Sequence, residues 1–261
     1  MLGAFLDQDI KQLVAGYRES GYLVIRDAFD AYEVEAWKAE CDRLAADTAL
    51  VNQDNLRTPF RMGATKNPER IDPVIDISPV FKSLANDRRV TNVLRENFAG
   101  HEPSIWKDKI IYKDPGVQGY TLHQDGAWWQ GLDMPLTELL SVMLAIDGAT
   151  PDNGCLEIFP GYHHNLISTP GELRNLNAQE IASVNPADGI KVETRPGDVI
   201  VFHALTPHQS GPNNSTSGRR QFYLTYNNGK FGDHYLRQQQ HYRAYTSKQR
   251  SAEDRARMYW K

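Results

Sequence analysis

The chain has 261 residues, of which 40% are hydrophobic and 24% are charged, as in globular rather than disordered or fibrous proteins. Its net charge of −4 argues against nucleic acid and anionic membranes as partners. No apolar run approaches the roughly 20 residues that a membrane-spanning helix needs. The N-terminus lacks a secretory signal pattern, and two cysteines make no disulfide framework. We therefore expect a cytoplasmic protein.

The first hundred residues are mostly helical in pattern. Apolar residues at positions 10, 13, 14 and 17 predict a helix that ends near Gly21, and residues 22–29 form a β-branched and aromatic run typical of a strand. A second amphipathic helix is predicted over 31–50, followed by a loop over 51–77. Ser78 as N-cap and Pro79 at the first helical position predict one or two further helices up to residue 100.

After Pro103 the pattern changes to short strands separated by Gly, Pro and Asn. The predicted strands lie within 104–113, 119–125, 139–147, 154–161, 190–203 and 221–228. Such a series is typical of an antiparallel sandwich or barrel. We predict an α+β, mainly β protein with one domain over 1–261: a largely helical buttress with one or more edge strands (1–102), a β core (103–230) and a C-terminal polar extension (231–261). The extension is expected to be a solvated helix or loop on the outside.

The segment GYTLHQDGAWW (119–129) holds the first candidate site. If it is a strand, its period of two places His123 and Asp125 on one face. Two such ligands could share a metal with a third ligand from another strand. Two histidines and one carboxylate form the facial triad of non-haem Fe(II) oxygenases.

The third ligand would come from a strand far along the chain, where His203 and His208 are both candidates. The spacing alone does not choose between them. On the strand that follows, alternation places Arg219 on the more polar face and Arg220 on the apolar one. Arginine's planar fork suits the carboxylate of an anionic co-substrate, so the pattern favours Arg219 as its partner.

Four motifs, in order, carry a family resemblance: LHQD, DNGCLEIFPGYHH, RPGDVIVFH and PHQSGPNNSTSGRR. The resemblance that includes them runs from about Tyr22 to Tyr226, with Tyr162 where serine is usual. The chain resembles the phytanoyl-CoA dioxygenase family of Fe(II)- and 2-oxoglutarate-dependent oxygenases. That resemblance implies a double-stranded β-helix (jelly-roll, cupin-like) core buttressed by the N-terminal helices.

The resemblance also implies roles for individual residues. His123, Asp125 and His208 would be the catalytic iron ligands, and His203 a packed strand histidine. Arg219 and Ser210 would bind the distal carboxylate of 2-oxoglutarate, and Gln124 would contact the same co-substrate. Halogenating relatives carry Ala or Gly at the position of Asp125, so the carboxylate implies hydroxylation by Fe(II), 2-oxoglutarate and O2.

Candidate substrate contacts are Trp128, Trp129, Lys109 and, in the variable segment 53–66, Arg61. The tryptophans could equally pack helices onto the sheet, and Lys109 could face solvent. We expect hydroxylation of an unactivated C–H bond in a small polar metabolite, with an aminophosphonate or a quaternary ammonium compound as candidates, and release of succinate and CO2. The alternatives are desaturation, epoxidation or cyclisation by the same machinery in natural-product biosynthesis, a non-catalytic jelly-roll binding module, or a divalent-metal hydrolase. The protein is expected to be a monomer or homodimer.

Overall fold

The computed structural model describes residues 7–58, 67–248 and 250–261. In the N-terminal part, helix α1 (Asp7–Ser20) leads into strand β1 (Tyr22–Ile25), and helix α2 (Ala31–Ala46) follows. The short strand β2 (Arg70–Ile71) precedes helices α3 (Pro79–Leu84) and α4 (Arg88–Asn97). The start of α2 is stabilised by a capping box between Asp30 and Glu33, and Ser78 caps α3 as the sequence predicts.

The remaining elements are mainly strands, and a helical segment closes the chain. The strands are β3 (Pro103–Lys113), β4 (Leu139–Ala145), β5 (Leu156–Ile158), β6 (Ile190–Val192), β7 (Val199–His203), β8 (His208–Ser210) and β9 (Arg219–Asn228). The short helix α5 (Ala178–Ile181) lies between β5 and β6, and helices α6 (Tyr235–Lys248) and α7 (Ala252–Arg257) follow β9.

The strands form two antiparallel sheets, as expected of a jelly roll. The large sheet has the order β1-β7-β4-β9-β3-β2, and the small sheet has the order β6-β5-β8. Because side chains alternate along a strand, the two faces of the large sheet have different neighbours. Phe222 and Leu224 pack with the N-terminal helices, whereas Met143, Ile200 and Phe202 pack against the small sheet.

Helix α2 ends at Ala46 rather than near residue 50, and three further expectations about the fold differ from the structure. The strand predicted over 22–29 ends at Ile25, and Asp27 lies in a left-handed turn with φ 48°. The strand predicted over 119–125 is wrong: His123 makes one isolated bridge with His208, and a 3-10 helix occupies Asp125–Trp129. The third concerns the C-terminal extension.

The C-terminal extension is not a solvated appendage. Helix α6 packs against β3, and its residues Gln238 and Gln239 are buried. This helix has few apolar residues, so its sequence did not indicate that one of its faces lines a polar cavity. Within the described part of the chain, no helix is both long and apolar enough to cross a membrane.

Candidate active site

A cavity of about 410 Å³ opens between the two sheets. Its walls come from β3 and β9 of the large sheet, β5 and β8 of the small sheet, the 3-10 helix and α6. Five cationic side chains and two carboxylates line it: Arg70, Lys107, Lys109, Arg219 and Arg250, with Asp72 and Asp125. The cavity is therefore positively charged apart from any bound metal.

His123, Asp125 and His208 meet at one wall of this cavity. One ligand atom from each lies within 4.8 Å of the others. Oδ1 of Asp125 is 3.8 Å from Nε2 of His123 and 3.9 Å from Nε2 of His208. These distances leave room for one cation between three donors, and the donor set is that of a facial Fe(II) triad. The three residues could thus hold the iron, which is the arrangement the sequence predicts.

Neighbouring groups orient each of the three donors. Nδ1 of His123 is 2.7 Å from the carbonyl oxygen of Thr121, and Nδ1 of His208 is 2.9 Å from that of Thr206. A carbonyl can only accept, so each Nδ1 carries the proton and each Nε2 lone pair is left for a metal. Ser141 Oγ donates to Oδ2 of Asp125 at 2.6 Å, which leaves Oδ1 of Asp125 available to bind a metal.

The electrostatics of the triad favour metal binding. Burial lowers the pKa of both imidazoles, and the adjacent His208 ring lowers that of His123 further, so both rings are neutral at pH 7. Burial alone would raise the pKa of Asp125, but the imidazoles, Lys109 and the Ser141 hydroxyl outweigh it and hold the pKa below its ordinary value. Two neutral nitrogens and one carboxylate are the protonation states that a divalent cation needs.

His203 lies apart from this group. It ends β7 in the large sheet and is buried, and it does not line the cavity. Its Nε2 is 3.3 Å from the carbonyl oxygen of Thr137, and its Nδ1 accepts from the amide of Leu205 at 3.0 Å. Both ring nitrogens are thus used within the fold, as expected of a packed strand histidine.

Arg219 lies at one end of the cavity, next to Lys113 in the strand register. Arg219 is only 3% exposed, and its Nε has no hydrogen-bond partner within the described residues. Burial lowers the pKa of Arg219, but arginine remains charged in proteins. A buried guanidinium that lacks a carboxylate partner is costly unless an anion binds to it.

Ser210 is also at this end and is oriented by two donors. Its Oγ accepts from Lys113 Nζ at 2.9 Å and from the amide of Tyr120 at 3.2 Å. With both lone pairs used, the hydroxyl can donate only its own proton. Arg219 and Ser210 together offer donors to a carboxylate.

Gln124 does not face the cavity, contrary to the sequence expectation. Its side chain is fully buried and hydrogen bonds to three backbone groups: the carbonyls of Asn165 and Leu205, and the amide of Ile167. These contacts use both ends of its amide. Gln124 therefore ties the 163–167 loop to the turn after β7, and no donor or acceptor is directed at a co-substrate.

Three of the four residues predicted to contact substrate lie at the cavity. Lys109, Trp128 and Trp129 all line the cavity. Trp129 also belongs to an apolar cluster with Trp106, whereas the Trp128 indole nitrogen donates to Asn175 at 3.2 Å. Arg61 lies outside the described residues.

Sequence reasoning missed Arg70 and Asp72 at β2, Lys107 of β3 and the cavity residues of α6. Lys107 Nζ contacts both oxygens of Asp72 at 2.8–2.9 Å and lies 3.9 Å from the Tyr242 ring centroid. From α6, residues 238, 241, 242, 245 and 246 line the cavity. Their i, i+3, i+4, i+7, i+8 spacing was the available signal, but it is usually sought in apolar rather than polar residues.

Comparison with known proteins agrees with this geometry. The model of the phytanoyl-CoA dioxygenase (PhyH) family matches residues 17–221. The chain belongs to this family. An ectoine dioxygenase from Sphingopyxis alaskensis is 31% identical over 231 residues, covering 82% of this chain and 74% of the relative. A methylphosphonate hydroxylase from Gimesia maris is 36% identical over 220 residues, covering 83% and 80%.

A solved structure matches most of this arrangement of sheets and helices. The crystal structure of EctD from S. alaskensis with 2-oxoglutarate and 5-hydroxyectoine has a TM-score of 0.75 at 26% identity, covering 88% of this chain and 80% of that one. A further structure of the same protein contains Fe. The jelly-roll prediction is confirmed, and the chain is an Fe(II)- and 2-oxoglutarate-dependent dioxygenase. This sets aside the binding module and the hydrolase.

Proposed function

We propose that this dioxygenase hydroxylates an unactivated C–H bond of a small metabolite that carries an anionic group, with a phosphonate as the first choice. His123, Asp125 and His208 hold the iron, and Arg219 with Ser210 binds the distal carboxylate of 2-oxoglutarate. When bound, iron and 2-oxoglutarate supply the oxidising power from O2, with release of succinate and CO2. The protein positions the substrate and excludes water.

The proposed substrate class rests on one observation, the position of Lys109 in the cavity. It is half-buried in the cavity and close enough to Asp125 to help lower the pKa of that carboxyl. Within the described residues no carboxylate forms an ion pair with Lys109, and its Nζ lies 5.5 Å from the Tyr223 ring centroid. A bound iron ion would neutralise the charge of Asp125. Lys109 would then remain as a cation that faces the part of the cavity where the substrate binds.

The register of β3 separates this cation from the co-substrate end. Lys113 pairs with Arg219 and Lys109 pairs with Tyr223, four residues further along each strand. At about 3.3 Å per residue the Cα atoms of the two lysines are roughly 13 Å apart, so Lys109 lies away from the carboxylate that Arg219 and Ser210 would bind. Lys109 is therefore available to a second anion, that of the substrate.

The other cationic residues of the cavity also favour an anionic substrate over a quaternary ammonium compound. Arg70 and Lys107 share the carboxylate of Asp72, so their charges are partly neutralised, and Asp125 is the only other acidic residue among the described residues that line the cavity. A cation held only by aromatic faces gains about 0.5–2 kcal/mol, which would have to overcome repulsion from Lys109. The similarity to a methylphosphonate hydroxylase supports the same choice.

A turnover screen tests this proposal. Iron-loaded protein is supplied with 2-oxoglutarate, O2 and a panel of alkylphosphonates, carboxylates and quaternary ammonium compounds, and succinate and products are measured by mass spectrometry. We expect succinate release coupled to a product that has gained one oxygen atom, with phosphonates preferred. A product that has lost two hydrogens would indicate desaturation instead, and coupled turnover of cationic compounds alone would contradict the proposal.

The role of Lys109 has its own variant pair. Lys109→Met keeps the length of the side chain and removes the charge, so the KM for a phosphonate should rise about 10- to 100-fold because a charge-assisted contact is lost. The affinity for 2-oxoglutarate should be unchanged. Lys191→Met, on an exposed position of β6, is the matched control and should leave both quantities unaltered.

A further inference from the structure

The 3-10 helix places Trp128 beside the proposed iron ligands. This helix runs from Asp125 to Trp129, and side chains at positions i and i+3 of a 3-10 helix eclipse one another. Trp128 therefore projects on the same side as Asp125, and both residues line the cavity. Trp128 is half-buried, so part of its surface is accessible to a bound molecule. The proposed function assigns it no role.

A chain of hydrogen bonds holds the indole in place. Nε1 of Trp128 donates to Oδ1 of Asn175 at 3.2 Å, and Nδ2 of Asn175 donates to Oγ1 of Thr121 at 2.9 Å. The carbonyl oxygen of Thr121 also orients the ring of His123, whose Nδ1 is 2.7 Å away. The indole is thus connected to the segment that positions one of the proposed iron ligands.

Three segments that are distant in the chain meet at Trp128. The loop between β5 and α5 is joined to the 3-10 helix through the side chain of Gln130, which accepts from the amide of Gly171 at 2.7 Å and donates to the carbonyl of Glu172 at 3.3 Å. On the side of α6, the Tyr245 ring makes an edge contact with the indole at a centroid distance of 5.9 Å. The indole therefore bridges walls of the cavity and is held there from several sides.

The position of Lys109 determines where a substrate chain extends. In the proposed function Lys109 binds the anion, and it is close enough to Asp125 to help lower the pKa of that carboxyl. A carbon chain that begins at the anion therefore starts near the metal, and a longer chain has to continue past the metal towards the indole. In an open cavity each added CH2 group would improve affinity about fourfold through burial. An obstacle would reverse that trend, because extra methylene groups in a closed site force the surrounding side chains to shift.

We propose that Trp128 sets the length limit of the substrate: its indole closes the cavity beyond the metal, so that phosphonates with a short carbon chain are accepted and longer ones are rejected. This inference rests on the proposed function, because Lys109 fixes the anionic end of the chain. Trp128 is in this sense a specificity-determining residue and takes no part in the chemistry.

A second tryptophan provides a matched control. Trp106 belongs to the apolar cluster against which Trp128 packs, but it is fully buried and does not line the cavity. Trp128→Phe and Trp106→Phe remove the same atoms next to the same cluster. Only the change at Trp128 should alter the space that a substrate occupies, and Trp128→Ala should enlarge that space further.

The test uses unbranched alkylphosphonates from methyl to octyl. Dissociation constants are measured by anaerobic calorimetry with enzyme that carries iron and 2-oxoglutarate, and succinate release is measured separately with O2. Wild-type affinity should weaken about 10-fold from ethylphosphonate to hexylphosphonate. Trp128→Ala should bind hexylphosphonate about 10-fold more tightly than the wild type does, and Trp128→Phe should be intermediate. Trp106→Phe should keep the wild-type dependence on chain length.

Two kinds of failure are distinguishable. The length limit is overturned if wild-type affinity rises steadily with chain length, if Trp128→Ala keeps the wild-type profile, or if Trp106→Phe shifts the profile as much as Trp128→Phe does. Trp128→Phe keeps an aromatic ring beside the cluster, so it decides the question if the alanine variant unfolds. If the wild type binds none of the compounds, the phosphonate assignment is overturned and the length limit with it.

Discussion

Which nitrogen of an imidazole can bind a metal depends on what the other nitrogen contacts. Nδ1 of His208 faces the Thr206 carbonyl, which leaves its Nε2 to the triad. His203, five residues earlier, has both nitrogens engaged by backbone groups of residues 137 and 205. The chain crosses from β7 in the large sheet to β8 in the small sheet between them, so two similar side chains have different environments.

The two histidines are expected to respond differently to truncation. His208→Ala removes one of three proposed ligands, so affinity for Fe(II) should fall by more than the roughly 10- to 100-fold that loss of an outer partner causes. His203→Ala should leave metal affinity within about threefold and lower the free energy of unfolding by about 1–3 kcal/mol, because buried partners lose their hydrogen bonds. Metal titration and urea unfolding measure the two effects, and the reverse pattern would reassign the ligand.

The neighbouring arginines of β9 provide the second contrast. Arg219 faces the cavity and pairs with no carboxylate of the described residues, whereas Arg220 forms ion pairs with Asp147 and Asp42 on the other face of the sheet. Arg219→Ala should weaken 2-oxoglutarate binding by about 2–5 kcal/mol, since a buried charge pair is lost. Arg220→Ala should affect thermal stability and leave that affinity unchanged. Calorimetric titration of 2-oxoglutarate into both variants decides, and an equal loss of affinity in both would contradict the assignment.

At the scale of elements, the C-terminal segment is held to the N-terminal part of the chain. The backbone of Tyr259 exchanges hydrogen bonds with Leu56 and Asp54, both at 2.9 Å. The ring of Trp260 lies 4.5 Å from the Arg243 guanidinium of α6 and contacts the edge of Tyr242. These contacts position α6, and through it one wall of the cavity.

We therefore expect Trp260→Ala to affect substrate binding from a distance. Losing its contacts with Arg243 and Tyr242 should loosen α6 and raise the substrate KM about two- to fivefold, the size of one exposed cation–π contact. The affinity for 2-oxoglutarate, whose proposed site is at the other end of the cavity, should not change. Steady-state kinetics with each substrate varied in turn measure this. Tyr32→Ala, at a position 85% exposed, is the control, and a shift in 2-oxoglutarate affinity would argue against a local effect.

In the whole molecule, the N-terminal helices and the candidate active site lie on opposite faces of the large sheet. The N-terminal helices bury one face, and the other face meets the small sheet and the cavity. Alternation along β9 places Phe222 and Leu224 among the helices, and Arg219 and Tyr223 in the cavity. A rigid support on one side keeps polar side chains in place on the other.

Burial of neutral histidines in this arrangement makes stability depend on pH. Burial lowers the pKa of His203 to about 4, whereas an unfolded histidine titrates near 6.5. Below pH 6.5 the unfolded chain binds a proton that the folded state does not, so stability is full above that pH and is lost as the pH falls towards 4. The loss from His203 amounts to roughly 3 kcal/mol. Urea unfolding of wild type and His203→Asn at pH 7.5 and 4.5 tests this, and equal losses in both proteins would exclude His203 as the source.

Local pattern and motif order were enough for much of the fold and part of the site. Helical spacing predicts α1 and α2, alternation predicts the two faces of β9, and the order of four motifs predicts a jelly roll with His123, Asp125 and His208 together. These features depend on neighbours within a few residues or on a family resemblance. For that reason they can be recognised without knowing how distant segments pack.

Packing between distant segments decided the rest. Asp125 reaches the triad from a 3-10 helix rather than a strand, and Gln124 binds three backbone groups 41 to 81 residues away. The polar face of α6 lines the cavity because β3 and the tail after α7 hold it there, although its composition is that of an exposed helix. Local patterns in the sequence predict most of the helices and strands and the alternation of side chains along β9. Which polar residues come together depends on contacts between residues far apart in the chain, and these are set by the tertiary fold.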